Sequence, residues 1–229
     1  LTTDADDDPF RDLDYTGTFS GTSSATPVVS GVVALMLDAN PNLSWRDVKA
    51  ILIESARKND PTDNSWFTNG AGYEFSHKYG FGAVDALAAV ELAESWTPLG
   101  QGFFASTDEI FSGLLIPENA TGITSTFNVA ADLVNIEYVE ILVDTQHNYG
   151  GDLEIVLESP AGTRSTLTTE HLDGTPYLDW WMSSNAFRGE NTFGEWKLHV
   201  WDRDAGITGS LQSWQVNFYT GPDVAPVAV

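Results

Sequence analysis

The 229-residue sequence predicts a mainly helical segment followed by an all-β domain, and two observations predict it. Between Val28 and Ser95 apolar residues recur at helical spacing over three stretches. From about Trp96 that periodicity stops, and short alternating apolar runs separated by turn residues take over, the pattern of a β-sandwich or barrel. The expected parts are residues 1–98, residues 99–221 and a tail or linker over residues 222–229.

In chain order, Leu1 to Thr3 reads as the end of a strand. Asp4 to Asp14 reads as an acidic, turn-rich loop. Its run Asp6-Asp7-Asp8-Pro9 sets adjacent carboxylates that repel one another unless solvated or bound to a cation. The segment Val28 to Ala39 is apolar on nearly all sides, so it is expected as a centrally buried helix, ended by Asn40-Pro41-Asn42. Ser44-x-x-Asp47 has the form of a capping box with Asp in the acceptor place, and Val48, Ile51 and Leu52 supply one face of a second helix. Asn59 to Tyr79 is loop-rich, and Gly80-Phe81-Gly82 suggests a close backbone approach. A third helix is expected from Ala83 to about Ser95, with Val84, Leu87 and Val90 on its buried face and Glu91 and Glu94 facing water. After a linker, Thr97 to Gly102, strands are expected at Thr124–Val129, Ile136–Asp144, Leu153–Ser159, Trp196–Asp202 and Leu211–Tyr219. Asn148-Tyr149-Gly150-Gly151 and Pro160-Ala161-Gly162 supply turns.

Composition excludes several functions. With 33 acidic against 10 basic residues the net charge is −23, which argues against nucleic acid, because phosphate binding needs a basic face. The acidity suits a well-solvated surface, or alternatively attraction of basic substrates. The absence of cysteine excludes disulfides, thiol catalysis and thiolate-bound zinc. No apolar run of about 18 residues is evident, so no membrane span is expected. The chain opens on Leu1 without a signal peptide and reads as a piece of a longer protein, so a missing signal says nothing about secretion.

Chemistry concentrates in Gly21-Thr22-Ser23-Ser24-Ala25-Thr26-Pro27. Small neighbours let a substrate backbone approach the Ser23 hydroxyl. A helix starting there aims free N–H groups and partial positive charge at the same spot. A serine so placed can attack a carbonyl while its own N–H steadies the oxyanion. The alternative is an ordinary helix start with Ser23 or Ser24 as N-cap.

This heptapeptide resembles the nucleophile box of subtilisin-like serine proteases at every fixed position, placing Ser23 as nucleophile with Gly21, Thr22, Ala25 and Pro27 completing the motif. Ala25 separates it from the Gly-x-Ser-x-Gly elbow of lipases. The three-helix order, Trp45-Arg46-Asp47 and Ser76-His77-Lys78-Tyr79-Gly80-Phe81-Gly82 resemble the C-terminal third of the α/β subtilisin fold, nearest the kexin and furin branch. The second half resembles the P domain of those proteases, a jelly-roll-like sandwich. The resemblance rests on Gly151-Asp152-Leu153, Leu157 to Arg164, Phe187 to Glu190, Gly194 to Leu198, Asp202, Gly209 to Leu211 and Trp214.

The resemblance implies a secreted serine endopeptidase acting on protein or peptide substrates, with the P domain packing on its own catalytic domain. Its triad order is Asp, His, Ser, yet no histidine precedes Ser23 and neither helper motif is present. The expectation is therefore that this chain alone is inactive. His77 matches a structural position of the family, and His147, His171 and His199 read as packing or hydrogen-bonding residues. Structural calcium is implied by the family only. Asp144, Asp152, Asp202 and Asp204 flank turns where hard oxygen ligands would serve it, but the favoured reading is that they cap turns or face water. Trp180, Trp181, Trp196, Trp201 and Trp214 read as core and rim packing rather than a sugar platform. The competing reading is a non-catalytic β-sandwich module that binds or stabilises, with a vestigial serine box.

Overall fold

The small residues of the serine box set the start of the first helix. Gly21, at φ 86°, takes a backbone conformation that side-chain-bearing residues resist, and α1 (Thr22–Ala39) runs from it. The structure is a computed structural model and describes residues 19–118, 121–133, 135–175, 179–204 and 206–221. The expectations for residues 1–14 and for the tail lie outside the described residues. By Cα proximity the chain forms two compact units. One takes in the chain up to Arg57 together with Ala83–Pro98; the other takes in Lys58–Gly82 and everything from Leu99 onward.

In the first unit α1 is followed by α2 (Trp45–Glu54) and α3 (Ala86–Ser95). The Ser44–Asp47 capping box forms as the spacing predicts. Asp47 N–H donates to Ser44 Oγ at 3.3 Å and Ser44 N–H donates to Asp47 Oδ2 at 2.7 Å. Such a cap contributes about 1 kcal/mol. Asp47 is itself buried, and its other oxygen accepts the Trp96 indole N–H at 2.9 Å, so one carboxylate ties the start of α2 to the end of α3. Asp85 caps α3 by accepting from Ala88 N–H.

Two expectations about the helices are corrected. The centrally buried first helix is not found: α1 buries only Val32 and Met36, while Val28, Leu35 and Leu37 are exposed. Val32 and Met36 stand four residues apart on one stripe, and with Val33 beside them they pack in the cluster that holds Ala89 and Ala93 of α3. By length and composition α1 is also apolar enough to cross a membrane, at mean hydropathy 1.2 over 18 residues, where no such run was expected. In α3 the buried positions are Ala89 and Ala93, and Leu87 is 69% exposed. Alanines let two helix backbones approach closely, so the small residues, not the large one, occupy the contact.

The second unit is built on two antiparallel sheets. The strands are β1 (Phe67–Thr68), β2 (Glu74–Phe75), β3 (Phe103–Ser106), β4 (Ile110–Ile116), β5 (Ile123–Val129), β6 (Ile136–Gln146), β7 (Leu153–Glu158), β8 (Arg164–Thr168), β9 (Trp180–Ser184), β10 (Gly194–Asp202) and β11 (Gly209–Thr220). One sheet has the order β5-β10-β7-β8. The other has β3-β11-β6-β9, with β4 also pairing β11, and β1 and β2 form a separate hairpin. The alternating residues of β10 (Trp196, Leu198, Val200) and β11 (Trp214, Val216, Phe218) meet Val139, Ile141 and Val143 of β6 in one core, as period-two patterning requires. The buried tryptophans satisfy their polar ends: Trp214 Nε1 donates to Ser125 Oγ and Trp196 Nε1 to the Thr192 carbonyl, each at 2.9 Å. Trp180 and Trp181 sit about half exposed on β9, at the rim.

Asn69 anchors the β1–β2 loop within this unit. Its Nδ2 donates to the Ala186 and Arg188 carbonyls, and its Oδ1 accepts from Ala71 and Tyr73 N–H. A Cβ on the neighbouring Gly70 would lie 2.3 Å from the Ala161 Cβ, so only glycine fits there. Gly70 N–H instead reaches Thr163 Oγ1 and Glu190 Oε1.

Candidate active site

Ser23 is the second residue of α1 and is exposed. Neither Ser23 nor Ser24 acts as the N-cap. That place is held by Gly21, which makes no side-chain cap bond, and Ser24 Oγ donates to the Gly21 carbonyl at 3.0 Å. The Gly21 carbonyl also accepts from Ser24 and Ala25 N–H at 3.2 Å each. Thr26 Oγ1 donates back to the Thr22 carbonyl at 2.8 Å. Pro27 lies inside the helix and has no N–H for the Ser23 carbonyl four residues earlier. The Ser24 and Thr26 hydroxyls are thus turned onto the backbone, while the Ser23 hydroxyl accepts and donates nothing among the described residues. Its N–H stands in the first turn, where helix amides have no partner within the helix and the dipole is positive. That is a hydroxyl presented to solvent beside an anion-stabilising end. Gly21, Thr22, Ala25 and Pro27 shape it and supply no titrating group.

A serine hydroxyl needs a proton acceptor to attack a carbonyl. All four histidines fall in the second unit, and each is engaged there. His77 Nε2 accepts the Thr166 N–H at 3.2 Å, and its ring packs edge-on to Phe75 at 5.5 Å; this burial holds its pKa below the ordinary value. His199 lies between Thr124 Oγ1 at 2.9 Å and Glu158 Oε2 at 3.1 Å. Burial lowers its pKa in spite of that carboxylate. For Glu158, burial pushes upward but is outweighed by the hydrogen bonds from Lys197 and His199, leaving its carboxyl below the usual range. His171 Nδ1 contacts the Thr169 carbonyl at 2.7 Å. The first unit thus assembles the serine box, and the contacts described for the histidines are all made within the second unit.

The aspartates singled out at turns separate into two groups. Asp144 stands near Asp179 and Glu109; burial first, and then those two charges, raise its carboxyl. Asp152 and Asp202 come together with His147, their ligand atoms all within 4.8 Å of one another. Burial raises the Asp152 carboxyl, as do the charges of Asp204, Asp202 and Glu170, while His147 opposes them. Calcium takes six to eight oxygen ligands, and a buried imidazole nitrogen in this set does not suit it. The convergence of His147 with the two aspartates was not legible in the sequence, because it joins the end of β6, the turn before β7 and the end of β10. The one local signal was the histidine four residues before Gly151-Asp152-Leu153.

Two family models match different parts of the chain. A subtilase family model matches residues 8–82, and a proprotein convertase P-domain model matches residues 136–218. Human proprotein convertase subtilisin/kexin type 5 is 34% identical over 226 residues, covering 92% of this chain and 12% of that protein. The dibasic-processing endoprotease of Schizosaccharomyces pombe is 36% identical over 217 residues, covering 88% of this chain and 31% of that protein. The chain thus spans less than a third of the length of these curated relatives. Among solved structures, the serine protease of Aeromonas sobria in complex with its chaperone matches with a TM-score of 0.83 at 30% identity, covering 92% of this chain and 46% of that one.

Proposed function

Since the chain belongs to the kexin/furin type of subtilisin-like proteases, with a subtilase segment and a P domain, we propose that it is part of a secreted serine endopeptidase whose nucleophile is Ser23. The observation that carries this is the hydroxyl of Ser23, left without a partner at the positive end of α1 inside a full nucleophile motif. In the reaction Ser23 Oγ bonds to the substrate carbonyl carbon as its proton passes to an imidazole. The oxyanion is held by N–H groups at the helix start, the C–N bond breaks as the amine takes up that proton, and water releases the acyl group. In subtilisin-like chain order the carboxylate and the imidazole precede the serine, and no histidine precedes Ser23 here, so the 229 residues by themselves are expected to be inactive. The fission-yeast relative's name supports pairs of basic residues as the substrate class to try first.

The test is hydrolysis of a Lys-Arg-containing peptide, and labelling by a fluorophosphonate probe, by the protein carrying its upstream sequence. Ser23→Ala is expected to remove the labelling and to lower kcat by a factor on the order of 10⁶. Undiminished hydrolysis in that variant would leave the β-sandwich module with a vestigial serine box as the reading. Ser23-dependent hydrolysis by the 229-residue chain would overturn the upstream origin of the base.

A further inference from the structure

At one end of the sandwich, three segments converge on a point that neither protease chemistry nor core packing uses. His147 follows the last residue of β6, in one sheet. Asp202 ends β10 and is paired in register with Leu153 in the other sheet. Asp152 closes the 3₁₀ turn Gly150–Asp152 that leads into β7. His147 and Asp202 are almost wholly buried, at 1% and 3% exposure, while Asp152 is half-buried.

The protonation of the imidazole follows from its other nitrogen. Nδ1 lies 2.7 Å from the Tyr149 carbonyl oxygen, which can only accept, so Nδ1 carries the proton. The Tyr149 N–H, at 3.3 Å from the same nitrogen, is the longer contact and yields to it. In a neutral ring Nε2 then carries a lone pair, and it faces Asp202 Oδ2 at 3.2 Å. Two acceptors facing each other away from water repel unless a proton or a metal cation lies between them. Histidines that bind metals donate their second N–H to a carbonyl or carboxylate, the arrangement His147 has. Two ligand atoms of one tetrahedral zinc, each about 2 Å from the metal, lie about 3.3 Å apart, close to the observed separation.

The nearby charges point the same way. The Asp152 carboxylate accepts no hydrogen bond among the described residues. The neighbouring cation, Arg203, is committed elsewhere: its Nε donates to Glu154 at 2.7 Å and its guanidinium lies over the Trp201 ring.

We propose that His147, Asp152 and Asp202 bind a transition-metal dication, zinc by the donor set, which ties the two sheets together at this end. One imidazole nitrogen and two carboxylates suit zinc, and the half-exposed side at Asp152 admits a water as the remaining ligand. The family's calcium would be served poorly here.

The test uses the full chain stripped of metal with a chelator, with zinc chloride alone as titrant and calcium chloride as control. One equivalent of zinc is expected to bind, and cobalt in its place to give visible ligand-field absorption. Zinc at a hundredfold excess over Kd is expected to raise the folding equilibrium constant of the sandwich about 100-fold, with calcium giving no comparable shift. Asp202→Asn is expected to abolish binding. Should that variant fail to fold, Asp152→Asn, which breaks no hydrogen bond, decides the matter through a loss of at least tenfold in affinity. Absence of stoichiometric binding would overturn the proposal and leave an imidazolium–carboxylate pair. Binding that survives both substitutions would put the ion on a surface histidine, and equal stabilisation by calcium would put an oxygen-only site elsewhere; either result also overturns the proposal.

Discussion

The two units handle apolar surface in opposite ways. In the second, the alternation along β6, β10 and β11 delivers Val139, Ile141, Trp196, Val200, Trp214 and Phe218 to one closed core with essentially no exposure. In the first, an 18-residue helix with apolar residues on most faces covers only Val32 and Met36 and leaves Val28 and Leu35 more than half exposed. Burial of apolar area is the dominant favourable term in folding. The β unit therefore carries within itself the interactions that specify it, whereas α1 presents more apolar surface than the described helices cover. The difference teaches that hydrophobic composition along a segment does not by itself tell how much of it this chain buries.

The largest effect expected from this contrast is in the sandwich. Trp214→Ala removes a fully buried ring together with its bond to Ser125 and should cost about 3–5 kcal/mol in urea unfolding. Leu35→Ser, on the open side of α1, should stay within about 0.5 kcal/mol in the same chain. Equal costs for the two substitutions would erase the distinction between the units.

Next comes the Asn69 anchor. Asn69→Ala leaves two carbonyls and two N–H groups without their partner, and a loss of about 3 kcal/mol is expected from buried groups left unsatisfied. The loss should appear in the β unit's transition. A change confined to the signal of the α1–α3 helices would contradict the assignment of residues 58–82 to the sandwich unit.

The smallest effect is the pH dependence. His77 and His199 have folded pKa values below the ordinary imidazole value of 6.5 because of burial. Below pH 6.5 the unfolded chain binds protons that the folded state resists. This stability is therefore present above pH 6.5 and is lost as pH falls toward the folded values. The first unit contains no histidine, so the loss should appear in the sandwich transition alone. His199→Gln should flatten it, as read by chemical unfolding at pH 7.5 and at successively lower pH.

Much of the architecture was legible in the chain. The Ser44–Asp47 box, the change of periodicity near Trp96 and the positions of β5, β6, β7, β10 and β11 all follow from local signals, because capping and alternation act within a few residues. Strands β3, β4, β8 and β9 carried weaker patterns. Phe103, Phe111, Leu115, Trp180 and Trp181 leave large apolar side chains exposed, which blurs the alternation that marks a half-buried strand. On α3 side-chain size suggested Leu87, whereas close helix packing selected Ala89 and Ala93; Val84 and Val90 pack against the same cluster as expected. At the serine box the motif was plain in the sequence. That Gly21 holds the cap, and that Ser24 and Thr26 turn their hydroxyls onto the backbone, required coordinates.

The residues alone determined the three helices, the five strongly alternating strands and where the serine box stands, since helix periods, caps and a seven-residue box are properties of neighbours in the chain. Tertiary structure decided which faces are covered, and it decided the meeting of His147, Asp152 and Asp202. Those three come from separate segments and are brought within 4.8 Å by strand pairing and by the packing of one sheet on the other, which no local pattern encodes.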